Sequence, residues 1–135
     1  MPLKRDYGIL IFGFIEMGIG LVTLVAVGAS LILGKSIKPL EVIIFVLTTA
    51  VISLSLGIGI LRHNLHSFHL LLFFAAVIIL SKILIFARII SLNGALETSV
   101  SPAAKSAVSI IYHTLLIWYF VQPSVRKKFL PIQND

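Results

Sequence analysis

Glu16, Lys82 and His113 are the ionisable side chains that stand deep inside the long apolar runs of this 135-residue chain. An acid placed within a lipid-embedded helix is costly to hold there and faces protein or water instead of hydrocarbon. The residues around Glu16 point the same way. Steps of alternately three and four residues connect Gly13, Glu16, Gly20, Thr23, Val27, Ser30 and Gly34, a small and polar seam suited to close helix contact. A second seam runs through Pro102, Ser106, Ser109, His113, Leu116 and Phe120. If the first helix enters near Gly8 and the fourth leaves near Val121, Glu16 and His113 both lie about 12 Å from one edge of the apolar layer. Ser53 falls near that level, so a contact between Glu16 and His113, with Ser53 beside it, is an expectation of the sequence. A carboxylate and an imidazole paired away from water can hold or relay a proton. The plainer expectation, and the preferred one, is that these groups fasten helices together.

Lys82 lies about 9 Å inside the opposite edge if its helix finishes at Arg88. Its stem can carry the ammonium outward to the interface, or the group can meet Thr23, Thr48, Thr49 or Ser106 at a similar depth. His63, His66 and His69 form an H-x-x-H-x-x-H run, but helical geometry turns successive members by about 60°, so the three do not share a face. No acid or cysteine joins them locally, and interfacial histidines are expected with no metal site. Gly57-Ile58-Gly59 has neither a preceding strand nor a phosphate-binding lysine, so close packing is its expected role. The chain contains no H-E-x-x-H motif, paired acidic motif or Ser/His/Asp arrangement with catalytic spacing. A non-enzymatic protein without a cofactor is expected. With no cysteine, thiolate metal sites, disulfides and palmitoylation are excluded.

The elements that position these residues follow from composition. Hydrophobic residues make up 59% of the chain and charged residues 12%, with a mean hydropathy of +1.10. Soluble domains carry about twice that share of charge. A membrane span needs about 20 mainly apolar residues, because the hydrocarbon core is about 30 Å thick and a helix rises about 1.5 Å per residue. Four runs meet that length, predicting helices over 8–33, 42–61, 65–90 and 102–122 and a short basic tail over 123–135. The expected fold is all-α and integral to the membrane: a single-domain bundle of four transmembrane helices with antiparallel neighbours over residues 1–135.

The helix boundaries have local causes. Gly34-Lys35-Ser36 closes the first helix, while Pro39 and Glu41 open the second. Arg62-His63-Asn64 is short enough to make a hairpin of the second and third. Asn93-Gly94 marks a turn within the longest connection, 91–101. Ser101 and Pro102 suit a helix start, and Pro123 disfavours helical geometry at Gln122. Lys4 and Arg5 precede the first run and Ala26-Val27-Gly28 loosely resembles a cleavage site. The run is nevertheless too long for a secretory h-region and contains Glu16, so a retained helix is expected.

Lys4, Arg5, Arg62, Arg126, Lys127 and Lys128 lie on the side of both termini; Lys35, Lys38, Arg88 and Lys105 lie on the other. This balance predicts cytoplasmic termini, with Trp118, Tyr119 and Phe120 as an interfacial belt. The formal charge of +6 sits mainly beside span ends, which suits membrane lipids as partners and not nucleic acid. Self-association or membership of a larger membrane assembly is expected of the apolar outer faces.

Gly57-Ile58-Gly59-Ile60-Leu61-Arg62 with the following helix, and Trp118-Tyr119-Phe120 with Pro123-Ser124-Val125-Arg126-Lys127-Lys128-Phe129, resemble patterns in small uncharacterised prokaryotic four-helix membrane proteins. That resemblance implies a fold type and a prokaryotic inner membrane, with no activity attached. Tyr7, Gly8, Gly13, Glu16, Gly18 and Gly20 are superficially similar to the first helix of the small multidrug resistance transporters. There, an embedded glutamate binds protons and cationic substrates within a dimer of four-helix subunits. The similarity carries only Glu16 across and implies a small proton-coupled transporter as the alternative function. Lys82 in the third helix and the sole Trp in the fourth depart from that pattern.

Overall fold

The computed structural model describes residues 6–35, 39–87 and 101–130. Among these residues the chain is all-helical, with α1 (Tyr7–Ile32), α2 (Leu40–Leu61), α3 (Leu65–Phe86), α4 (Pro102–Val121) and the single-turn α5 (Pro123–Arg126). The first four are long and apolar enough to cross a membrane. The expected boundaries lie within two residues of these, except that the expected end of the third helix, at 90, falls outside the described residues. Arg88 and the Asn93-Gly94 turn lie outside the described residues, as do Lys4, Arg5, Ser36 and Lys38.

The helix ends are set by local chemistry. At the end of α1, Gly34 adopts a φ of 62°, and the amides of Gly34 and Lys35 return to the carbonyls of Leu31 and Ser30. This is the left-handed closure that glycine enters without steric penalty. The same closure follows α2, with His63 in the left-handed position at a φ of 54°. Its amide reaches Ile60 O, and that of Asn64 reaches Gly59 O. The Asn64 side chain then caps α3 by accepting from the His66 amide at 2.9 Å. Ser101 caps α4 by accepting from the Ala104 amide at 3.3 Å.

Helix packing is uneven, with α1 most extensively paired to α2 and α3 to α4. Gly20 permits the first close approach, because a Cβ there would fall 2.6 Å from Ala50 O and 2.7 Å from Leu54 N. At Gly57 an added Cβ would meet Met17 N at 2.7 Å and Gly13 O at 2.8 Å. Both obstacles are backbone atoms and cannot rotate away. Where the surroundings are lipid, apolar burial gains little over lipid contact, so such close approach and interhelical hydrogen bonds determine association.

Contacts between α1 and α4 are made by large side chains. Phe12 packs on Tyr119, Phe120 and Tyr112 with ring centroids 5.3, 5.8 and 6.0 Å apart. Ile9, Ile60, Phe68, Leu71, Leu116 and Phe120 continue this core. It occupies the end of the bundle where α1 begins and α4 finishes.

The described part of the tail, expected only as short and basic, is built into the fold. Pro123–Arg126 forms α5, and Val125 and Phe129 are buried in the core. Phe129 packs on Phe68 at 5.0 Å and on His63 at 5.5 Å. An ion pair between Asp6 and Lys128 fixes the tail beside the start of α1. The expected aromatic belt is likewise divided: Trp118 is exposed, Tyr119 packs against Phe12, and Phe120 is fully buried.

Candidate functional site

The buried members of α1 are Ile9, Gly13, Glu16, Gly20 and Val27, so the small and polar seam faces the interior. Glu16 is 2% exposed. Ser53 Oγ lies 2.5 Å from Glu16 Oε2 and 3.2 Å from the Glu16 backbone carbonyl. Having one hydroxyl proton, Ser53 donates to the nearer carboxylate oxygen. The short serine side chain reaches because the Gly20–Ala50 and Gly13–Gly57 contacts bring α1 and α2 together on either side of it.

The other carboxylate oxygen is held from α4. Tyr112 donates from its phenol to Glu16 Oε1 at 2.9 Å. A long side chain serves here because α1 and α4 are spaced by aromatic rings. One carboxylate thus accepts hydrogen bonds from two hydroxyls and joins three helices. Both donors satisfy oxygen atoms that would be expensive to bury unbonded.

His113 turns elsewhere. Its Nδ1 donates to the Ser109 backbone carbonyl at 2.7 Å, with Ser109 Oγ 3.3 Å away. In a neutral imidazole this fixes the proton on Nδ1 and leaves Nε2 as the acceptor. No hydrogen bond or ion pair joins His113 to Glu16. The expected contact is replaced by Tyr112, its sequence neighbour, while His113 remains on the wall of the same cavity.

That cavity has a volume of about 160 Å³ and receives residues from all four long helices. Glu16, Ser53, Thr23, Thr49, Lys82 and His113 supply polar groups; Ile19, Phe74 and Ile78 supply apolar wall. Lys82 is half-buried and belongs to this lining, together with Thr23 and Thr49. Thr48 instead bonds within its own helix to Ile44 O. The cavity therefore contains the polar residues singled out in four separate runs, although they form no continuous hydrogen-bonded relay.

The histidine run is dispersed. His63 stacks on Phe129, His66 takes part in the Asn64 cap through its amide, and His69 Nδ1 donates to Leu65 O at 3.1 Å. Among the described residues, no three His, Cys, Asp or Glu side chains come together as a metal-binding group.

Tyr112 is the site residue that sequence spacing missed. It stands beside the α4 seam, and only the reach of its hydroxyl brings it to Glu16. Its type was the available signal, since a buried tyrosine needs a partner for its hydroxyl. No protein-family model matches the chain, and neither a curated protein nor a solved structure does.

Proposed function

We propose that the chain is an integral membrane protein whose four long helices cross the bilayer as antiparallel neighbours, and that it acts as a non-enzymatic scaffold or accessory subunit of a membrane assembly. The observation carrying this reading is the Glu16 junction: both carboxylate oxygens are occupied by hydroxyl donors from other helices. Such an acid fastens a bundle. Its outward surface supports the same reading, with Phe14, Val22, Val25, Phe73, Val108 and Trp118 all exposed. Side chains of this kind require lipid or another protein against them.

The Lys and Arg balance supports cytoplasmic termini, and the layout resemblance supports a prokaryotic plasma membrane. Gentle extraction from native membrane followed by mass measurement of the intact assembly tests the function. A second protein held in fixed ratio supports an accessory subunit. Recovery of the chain as a lone monomer contradicts it.

A second reading is favoured by the polar cavity beside Glu16. In a small proton-coupled transporter, Glu16 would exchange its proton as substrate enters that space. Reconstituted vesicles test this alternative. Solute movement driven by a pH gradient and abolished by Glu16→Gln would select it.

A further inference from the structure

Glu16, His113 and Lys82 line one cavity, yet no ion pair connects Glu16 to either of the other two. This arrangement differs from the usual solution for charge inside an apolar bundle, in which opposite charges meet directly. Hydrogen bonds hold Glu16 through the hydroxyls of Ser53 and Tyr112, which bring no cation to it. Lys82 is contributed by a different helix, α3. The cavity thus has acceptor character at Glu16 and His113 Nε2, and donor character at Lys82.

We infer that the cavity is a binding site for a small zwitterion bearing a primary ammonium and a carboxylate, of the amino-acid type. The ammonium has three protons to share between the Glu16 carboxylate and His113 Nε2. The ligand carboxylate meets the Lys82 ammonium, with the Thr23 hydroxyl in the same lining. Both charges of the guest are then matched, one by Glu16 and one by Lys82. Ile19, Phe74 and Ile78 offer an apolar surface to a short side chain.

Size restricts the guest further. A cavity of about 150 Å³ accepts a benzene-sized molecule, about six heavy atoms. The present volume of about 160 Å³ therefore suits alanine and excludes a bulky amino acid such as leucine. A singly charged molecule of the same size leaves either Glu16 or Lys82 unmatched. Discrimination between singly and doubly charged guests is the characteristic result of this site, and it does not depend on whether the protein is an accessory subunit.

The test uses the full chain purified in detergent, with thermal unfolding followed against alanine, propionate, propylamine and leucine. Alanine is expected to raise the melting midpoint saturably, with half-saturation at or below about 1 mM, a binding free energy near −4 kcal/mol. Propionate, propylamine and leucine should leave the midpoint unchanged. Lys82→Met and Glu16→Gln should each raise the half-saturating alanine concentration at least about tenfold. If either variant fails to fold, the four-compound comparison on the unaltered protein remains decisive. Stabilisation by propionate or propylamine equal to that by alanine, equal binding of leucine, or no response to alanine would overturn the site.

Discussion

Tyr112 donates to Glu16 Oε1 at 2.9 Å across 96 positions of the chain. It is a direct polar connection between α4 and α1, and it complements the Ser53 bond from α2 to the other oxygen. Because the acceptor is a buried carboxylate, each bond should contribute more than an ordinary neutral pair. Tyr112→Phe is predicted to destabilise the protein by about 1.5–3 kcal/mol, measured by reversible unfolding in mixed micelles. Ser53→Ala should cost a similar amount.

The glycines divide into two experimentally separable groups. Gly20→Ala would drive a methyl group into backbone atoms of Ala50 and Leu54, whereas Gly18 and Gly28 have open space at the corresponding position. Gly20→Ala should therefore cost about 1–3 kcal/mol through forced separation of α1 and α2. In contrast, Gly18→Ala should be neutral or stabilising by up to about 1 kcal/mol, because it adds helix propensity without collision. Unfolding measurements on both variants check the difference in sign.

Gly34→Ala isolates a backbone effect. Nothing lies within contact distance of an added Cβ, but the position has a φ of 62°. The expected loss is about 1–2 kcal/mol, from left-handed backbone strain alone. Equal stability of the two proteins would show that this closure is not maintained.

Phe129→Ala tests the attachment of the tail. Phe129 is 3% exposed among aromatic rings, so truncation leaves a core cavity and should destabilise by about 3–5 kcal/mol. It should also accelerate tryptic cleavage after Arg126 and Lys127. Asp6→Asn should change stability by less than about 1 kcal/mol, because its ion pair with Lys128 is partly open to solvent. Limited proteolysis and unfolding together separate these two tail anchors.

Long apolar runs made the four main helices legible, and three-four spacing made the inward faces of α1 and α4 legible. Glu16, Gly13 and Gly20 face the interior, as do Ser106, His113 and Leu116. Ser53 was legible from depth alone, because counting residues along both helices puts it level with Glu16. The exchange of His113 for Tyr112 was not legible. Adjacent residues on a helix differ by about 100° in direction, but a long phenol can reach back across a gap that imidazole leaves open. His113 also has a nearer acceptor in the Ser109 carbonyl. Phe129 was obscured by the preceding Arg126-Lys127-Lys128, whose charge marks a surface while α5 turns the following ring inward. Lys82 was ambiguous because a flexible stem permits either an interfacial or an internal position, and only three-dimensional packing selects Thr23 and Thr49 from the hydroxyl residues at its depth.

The central claim, that Glu16 serves as a fastening point for α1, α2 and α4, is tested most directly by a double-mutant cycle between Glu16→Met, which leaves no acceptor, and Tyr112→Phe. Reversible unfolding of the four proteins in the same mixed micelles supplies the coupling energy. The account predicts at least about 1 kcal/mol of coupling, with the double variant less destabilised than the sum of the single ones. Additivity within about 0.5 kcal/mol would contradict a direct stabilising bond between these residues and remove α4 from the junction.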